Sequence, residues 1–104
     1  MIKLSKKKTE NLYKAILMVK TMVEAKRFFR DLLTEQEIAE FGNRWQAAQM
    51  LNRGSIYPKI QQATGLSTRT IARISKWLNK GANGYKLVLA KMNHHNPSYN
   101  FKKG

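Results

Sequence analysis

The segment Ser67–Lys80, STRTIARISKWLNK, places four cationic side chains at intervals of four, three and four residues. They are Arg69, Arg73, Lys76 and Lys80. On a helix of about 100° per residue, these four lie within about 40° of Arg69 and form one stripe, opposite the apolar residues Ile71, Ile74 and Leu78. A solvated helix face usually mixes charges of both signs, whereas this stripe is positive throughout. The chemistry that such a stripe can perform is the binding of phosphates.

The residues before this helix have the features of a helix-turn-helix. SIYPKIQQATG predicts a short helix with Pro58 in its first turn, where the missing amide proton costs nothing. Ile60 and Ala63 are expected to face inward, Gly65 to adopt a left-handed conformation, and Leu66 to insert between the helices. Ser67 is expected to cap the second helix. A helix with a polar first turn and a cationic outer face is typical of recognition helices that enter the DNA major groove.

The polar residues of this motif are the candidates for DNA contacts. Arg69 lies in the first turn of the helix, where side chains reach base edges, and arginine can pair bidentately with guanine. The hydroxyl residues are expected to contact bases or phosphates, while Arg73 and the lysines chiefly hold the backbone. The predicted set is Lys59, Ser67, Thr68, Arg69, Thr70, Arg73, Lys76 and Lys80.

Further helices must position this motif. Apolar residues recur at helical spacing at Leu12, Ile16, Val19 and Val23, and more apolar surface lies beside them, which favours cover by a second subunit. VEAKRFFRDLL predicts a second helix, and TEQE is a capping box that begins a third, ended by NRG. YKLVLAKM predicts a closing helix.

The expected fold is all-α with about six helices. The predicted organisation is a flexible basic arm over residues 1–8, one helical DNA-binding domain over 9–92 and a flexible tail over 93–104.

Charge is distributed unevenly along the 104 residues. All six acidic residues lie in the first 40, together with nine Lys or Arg, which gives that part a net charge of +3. The remaining 64 residues carry eleven Lys or Arg and no acid, so they hold +11 of the total of +14. Because no carboxylate offsets this repulsion locally, the pattern favours a polyanionic partner, with nucleic acid preferred over an anionic membrane.

Other classes of function have little support in the sequence. The absence of cysteine excludes disulfides and thiolate metal sites and favours an intracellular location. The longest apolar run, AILMV, is far shorter than the roughly 18 residues of a membrane span, and no secretory signal is visible. No nucleophile–base pair, phosphate loop or ligand cluster predicts an enzyme. Neither a cofactor nor a metal is expected, including at His94 and His95, and the chain is expected in the cytoplasm, associated with the nucleoid.

The segment from about Val23 to Met92 resembles the Trp repressor family, and more closely its YerC/YecD branch of Trp repressor-like proteins. The resemblance is carried by LLT before the capped helix, Arg44 within it, YxKIxxxTGxSTxTIxR in the helix-turn-helix, and LNxGxxxY after it. It implies an all-helical fold in which the N-terminal helices of two subunits intertwine to form a homodimer. That implication agrees with the excess apolar surface between Leu12 and Val23.

The resemblance also suggests a ligand pocket. In the Trp repressor itself, the positions matching Thr34, Arg44 and Arg73 help to hold the corepressor tryptophan. The tryptophan-binding members have a glycine that leaves room for the indole where this chain has Ile74, and a serine near the ligand where it has Trp77. These bulky side chains are expected to fill the space, so a small-molecule corepressor is not expected. Arg44 and Arg73 are then interpreted as phosphate contacts or structural partners.

Three functions remain open from the sequence alone. The leading hypothesis is a homodimeric transcription regulator, interpreted as a repressor, that places two recognition helices in a palindromic double-stranded DNA operator about one helical turn apart. An amino-acid-gated regulator would differ only in the pocket. A nucleoid- or RNA-associated protein would use its charge without sequence preference, and the ratio of specific to random binding would separate it from the first hypothesis.

Overall fold

Six helices make up the structure, a computed structural model that describes residues 3–95. They are α1 (Lys6–Met18), α2 (Met22–Leu32), α3 (Glu35–Asn52), α4 (Tyr57–Thr64), α5 (Thr68–Lys80) and α6 (Gly84–His95). The described residues contain no strand, so the prediction of an all-α fold with about six helices is confirmed. None of these helices is long and apolar enough to cross a membrane.

The chain divides into two compact units, Met1–Ile38 and Ala39–Gly104, and the boundary falls within α3. The first unit contains α1 and α2, and neither of these helices has a buried residue. Phe28 and Phe29 of α2 make an edge-to-face contact, with ring centroids 5.4 Å apart. Apolar side chains left exposed in this unit include Leu17, Met18, Met22 and Val23. The prediction of one domain over residues 9–92 stays a prediction.

Hydroxyl side chains cap the first three helices. The Ser5 hydroxyl accepts the Lys8 N–H at the start of α1, at 3.4 Å. The Thr21 hydroxyl accepts the Glu24 N–H at 3.1 Å to begin α2. The predicted capping box of α3 is confirmed: the Thr34 hydroxyl accepts the Glu37 N–H at 3.1 Å, and the Glu37 carboxylate accepts the Thr34 N–H at 2.9 Å. These caps satisfy amide groups that have no partner within the helix.

Two predictions about the N-terminal helices are wrong. Helix α1 begins at Lys6 rather than Thr9, because Ser5 supplies a cap earlier in the chain, so residues 6–8 of the expected flexible arm are helical. The apolar repeat from Leu12 to Val23 does not lie on one helix either. It is interrupted after Met18, because the Thr21 cap begins a new helix.

The C-terminal boundary also differs from the prediction. Helix α6 begins at Gly84 and continues through Asn93 to His95, so the first three residues of the expected flexible tail are helical. The other tail residues, 96–104, lie outside the described part of the chain, as do Met1 and Ile2 of the arm. The His94 and His95 side chains also lie outside it, so the prediction that they bind no metal stays a prediction.

Helices α3, α4 and α5 form the core of the second unit. Its completely buried residues are Ala47 and Ala48 of α3, Ile60 of α4, and Ile71 and Ile74 of α5. The small alanines leave room for the three branched isoleucines, and close packing of this kind fixes how the helices approach one another. Burial of each isoleucine side chain contributes about 1.5 to 3 kcal/mol. Trp45, Tyr57, Leu66 and Tyr85 pack against the core while remaining partly exposed.

The turn between α4 and α5 is held from inside by a buried hydroxyl. Gly65 ends α4 in the predicted left-handed conformation, with φ of +74°. The preceding residue, Thr64, is only 8% exposed, and its hydroxyl donates to the Ile60 carbonyl at 2.7 Å. The same hydroxyl accepts the Leu66 N–H at 3.2 Å, which joins the end of α4 to the turn. The expectation that Ala63 faces inward is wrong: Ala63 is exposed, because Thr64 occupies the inward position beside it.

Gly81 fixes the connection between α5 and α6. Its N–H donates to the Trp77 carbonyl at 2.9 Å and ends α5. A Cβ added to Gly81 would lie 2.5 Å from the Trp77 carbonyl oxygen and 2.9 Å from the Trp77 Cα. Both of these atoms belong to the backbone and cannot rotate away. Gly81 is therefore required here for close approach, although its φ of −86° is open to any residue.

We expect Gly81→Ala to lower the free energy of unfolding by about 1 to 3 kcal/mol, because the new methyl group overpacks the turn against backbone atoms. Gly42→Ala is the matched control. Gly42 lies within α3, where an added Cβ meets no atom within 4 Å, so we expect stabilisation of about 0.5 to 1 kcal/mol. Denaturant unfolding monitored by circular dichroism measures both changes. Equal effects of the two substitutions would contradict the close approach at Gly81.

Candidate nucleic-acid interface

Helix α5 separates an apolar face from a cationic face, as the sequence predicts. Ile71 and Ile74 are completely buried and Leu78 is only 5% exposed, so one side of the helix is fixed in the core. The opposite side carries the cationic stripe, defined as Arg69, Arg73, Lys76 and Lys80, and all four residues are exposed. Packing of the apolar face therefore directs the stripe outward along three turns of helix.

No other described residue neutralises the cationic stripe. None of its four side chains forms an ion pair within the part of the chain that the structure describes. The nearest acid in sequence is Glu40, which pairs with Arg44 at 2.9 Å. Glu40 is the last acidic residue in the sequence, and because it pairs with Arg44, no later side chain of the second unit can offer a carboxylate to the stripe. These four charges are available to an anionic partner.

Two of the predicted contact residues bind each other at the start of α5. The Ser67 hydroxyl accepts the Thr70 N–H at 3.1 Å and donates to the Thr70 hydroxyl, also at 3.1 Å. This pair holds the first turn of the helix in place. The adjacent Thr68 and Arg69 are exposed, and they present their side chains in the same turn. The geometry therefore distinguishes Ser67 and Thr70, which hydrogen-bond to each other, from Thr68 and Arg69, whose side chains form no hydrogen bond with another described residue.

The remaining predicted contact, Lys59, is exposed in the first half of α4. It lines a shallow depression of about 790 Å³ together with Arg53, Ser55 and Gln62. No sequence pattern predicts a site at Arg53, Ser55 and Gln62. They follow no repeated spacing, and they converge only because the loop after α3 returns beside α4. The depression extends the polar surface next to the turn of the helix-turn-helix.

An apolar groove lined by aromatic side chains lies elsewhere in the second unit. Trp45 of α3 stacks on Tyr85 of α6, with ring centroids 6.1 Å apart and an interplanar angle of 26°. Trp77 of α5 is 46% exposed and lines the same groove, whose volume is about 610 Å³. Ala82, Gly84 and Val88 complete the lining. The sequence did not predict this groove, because its aromatic residues come from three helices and share no periodicity.

The residues of the expected ligand pocket are largely engaged in structural contacts. The Thr34 hydroxyl caps α3, and Arg44 Nη2 donates to a Glu40 carboxylate oxygen at 2.9 Å. Arg44 Nε is buried and has no hydrogen-bond partner among the described residues. Ile74 is completely buried in the core, while Arg73 is exposed in the cationic stripe. Burial of Ile74 agrees with the expectation that this position leaves no room for an indole ring, and the absence of a tryptophan site stays a prediction.

The family model described as Trp repressor protein matches residues 7–93. The chain belongs to the Trp repressor family. The uncharacterized protein YerC of Bacillus subtilis (strain 168) is 40% identical over 90 residues, which cover 86% of each protein. This similarity supports the predicted position in the YerC branch, so the resemblance inferred from the sequence is confirmed.

Two solved structures of the Trp repressor type have the same fold. A TrpR-like protein from Eubacterium eligens ATCC 27750 is 38% identical with a TM-score of 0.82, and the match covers 86% of this chain and 93% of that one. A proposed Trp repressor from Staphylococcus aureus is 36% identical with a TM-score of 0.80, covering 86% of this chain and 89% of that one. The predicted Trp repressor-like fold is therefore confirmed.

We expect no saturable binding of L-tryptophan at about millimolar concentration, and no change in DNA affinity when it is added. The physical reason is that Ile74 fills the space beside α5, and a ligand shifts an equilibrium only by as much as it prefers one state. Isothermal titration calorimetry measures binding directly. Ile74→Gly serves as the comparison, because it removes the branched side chain and can partly reopen the space. Saturable binding to the unmodified protein, coupled to tighter DNA binding, would show that the space is open.

Proposed function

We propose that this chain is a sequence-specific DNA-binding transcription regulator that acts as a repressor through its helix-turn-helix. The observation that carries the proposal is the two-faced α5, whose apolar side is fixed in the core and whose cationic stripe is exposed and unpaired. A helix held in this way can enter the major groove without rearrangement of the core. Membership of the Trp repressor family supports both DNA binding and repression.

The proposed contacts divide into two classes. Arg69 lies in the exposed first turn of α5 and contacts a base, because its fork of donors matches the O6 and N7 acceptors of guanine. Thr68 contacts a base or a phosphate in the same turn, while Ser67 and Thr70 contribute mainly by positioning that turn. The residues that hold the phosphate backbone are Lys59, Arg73, Lys76 and Lys80. Base contacts determine sequence preference, whereas phosphate contacts contribute to affinity for any DNA.

We further propose that the regulator is a homodimer on a palindromic operator, with two α5 helices about one helical turn of DNA apart. The exposed apolar side chains of α1 and α2 support this part of the proposal, since neither helix buries a residue within its own chain. Side chains such as Leu17, Met18 and Met22 are each 69% exposed or more. Intertwining of these helices between two subunits would cover them. A regulator of this kind acts on the nucleoid in the cytoplasm.

One alternative is favoured by a specific observation. The net charge of +14 on 104 residues is sufficient for binding to DNA or RNA without sequence preference, as in a nucleoid- or RNA-associated protein. Selection of bound sites from a random DNA library distinguishes the two functions. A sequence-specific regulator enriches one palindromic site and binds it about 1,000-fold or more tightly than random DNA. A nonspecific protein enriches no site.

We expect Arg69→Ala and Lys80→Ala to weaken DNA binding in different ways. Arg69→Ala is expected to cost about 1 to 3 kcal/mol on the selected site and to relax the preference at one base pair per half-site, because a bidentate base contact is lost. Lys80→Ala is expected to weaken binding to selected and random DNA alike and to lower the salt slope by about 1, because a phosphate contact is lost. Fluorescence anisotropy titrations over about 50 to 200 mM salt measure both effects.

The comparison of the two variants provides its own control, since each removes one positive charge from the same helix. If both variants lost affinity equally on selected and random DNA, the division into base and phosphate contacts would be wrong.

For the unmodified dimer, about 6 to 10 phosphate contacts imply a loss of affinity on the order of 1,000-fold or more across this salt range. An affinity independent of salt would contradict a role for the cationic stripe.

We expect the protein to be a dimer at micromolar concentration, because the apolar side chains of α1 and α2 need a second copy to cover them. Light scattering coupled to size-exclusion chromatography measures the mass, and the chain alone accounts for 12.0 kDa. Leu17→Glu combined with Met18→Glu places charge on this exposed surface, and we expect it to favour the monomer. A helical 12.0 kDa monomer formed by the unmodified protein would contradict the prediction.

A further inference from the structure

Helix α2 carries a second group of cationic residues that the proposed function of α5 does not use. They are Lys26, Arg27 and Arg30, and all three are exposed. At about 100° per residue, Arg30 lies about 40° and Arg27 about 100° from Lys26, so the three share one face of the helix. Phe28 and Leu32 lie on the other side, at about 200° and 240° from Lys26, and Phe29 lies between the two sides at about 300°. We call Lys26, Arg27 and Arg30 the α2 cationic face.

The acidic residues of the same helix leave this face positive. The Glu24 carboxylate accepts the Lys20 N–H at 2.8 Å, so it is engaged at the beginning of α2. Asp31 lies beside Arg27 and Arg30 around a shallow depression of about 490 Å³, but it forms no ion pair with either of them within the described chain. One carboxylate therefore borders three cations, and the face keeps a net positive charge.

The spacing of these cations places like charges side by side on the helix, and only Arg27 also has acids, Glu24 and Asp31, three or four residues away. Lys26 and Arg30 are four residues apart and Arg27 and Arg30 are three apart, so each pair holds like charges on neighbouring positions. Like-charge pairs at such spacings destabilise a helix by about 0.2 to 0.5 kcal/mol each. Helix α2 buries no residue that would offset this cost within its own chain. An anion bound across the face would remove the repulsion.

We propose that the α2 cationic face is a second DNA-binding surface, which holds backbone phosphates separately from the contacts made by α5. Two of its three cations are arginines, whose planar guanidinium groups match phosphate oxygens bidentately. The face contains no exposed hydroxyl or amide group placed between the cations, so it is suited to a repeated negative charge and not to base edges. The inference rests on the proposed function because DNA is the partner, but it concerns a different helix.

The test compares two triple variants that remove the same charge. The first is Lys26→Ala, Arg27→Ala and Arg30→Ala. The matched control is Lys14→Ala, Lys86→Ala and Lys91→Ala, which removes three exposed cations from scattered positions on α1 and α6. Alanine favours helix, so both proteins are expected to fold, and circular dichroism checks this. The dependence of affinity on salt is measured for both proteins on random-sequence duplex DNA and on the selected site.

If the α2 cationic face holds phosphates, the first variant lowers the salt slope by about 2 to 3 for each subunit engaged, and the control lowers it by less than about 1. Affinity at about 100 mM salt falls on the order of 10-fold more for the first variant than for the control. Equal slopes and equal affinities for the two triple variants would overturn the proposal. So would a first variant that loses binding to vesicles containing phosphatidylserine but keeps its affinity for DNA.

The outcomes for α2 and for the proposed function can be separated. If Arg69→Ala relaxes base preference as expected while the two triple variants behave alike, only the inference about α2 fails. If no DNA site is selected from the library but the first triple variant still loses salt-dependent affinity for random DNA, the α2 surface stands and sequence-specific regulation fails. The Ser67–Thr70 turn lies in the second unit, and neither triple variant changes its residues. A difference between the two variants therefore cannot be attributed to a change in this turn.

Discussion

The buried Thr64 hydroxyl is the interaction on which the presentation of α5 depends. It joins the Ile60 carbonyl to the Leu66 N–H, and these groups lie on either side of Gly65. A buried donor or acceptor left without a partner costs about 1 to 3 kcal/mol, so this small network favours one geometry of the turn. Gly65 supplies the left-handed conformation that the geometry needs. The turn that precedes the cationic stripe is therefore held by a buried hydroxyl group, while packing of Ile71 and Ile74 directs the stripe outward.

The packing of the core and the predicted absence of a tryptophan site both depend on Ile74. Ile74 contributes to the completely buried core beside Ile60 and Ile71, and this packing holds the apolar side of α5 in place. A regulator that depended on a bound ligand would leave that space open and accept lower stability in the free state. In this chain the buried side chains of Ile71, Ile74 and Leu78 fix α5 in the core. If α5 binds DNA as proposed, the cost of ordering this helix on binding is correspondingly small.

The sequence predicted the parts of the structure that depend on local chemistry. The capping box at Thr34, the glycine turn and the two faces of α5 follow from residue type and spacing, and the structure has all three. Errors arose where neighbouring residues compete for one role: Ser5 begins α1 earlier than expected, and Thr64 replaces Ala63 in the interior. The groove of Trp45, Trp77 and Tyr85 could not be predicted, because it depends on the packing of three helices. The DNA contacts themselves remain predictions, since they depend on a partner.

Among residues 3–95 the cationic stripe forms no ion pair, and this has an energetic consequence for the free protein. Its charges repel one another and the other cations of the second unit, and no acid after Glu40 reduces that repulsion. Counter-ions from solution must do so instead. Added salt is therefore expected to act in opposite directions on folding and on the proposed DNA binding: it raises the thermal stability of the folded chain and lowers its affinity for DNA. Repulsion between the cationic side chains is strongest at low salt concentration, which is also where the proposed complex with DNA is expected to be tightest. Binding of a polyanion reduces that repulsion.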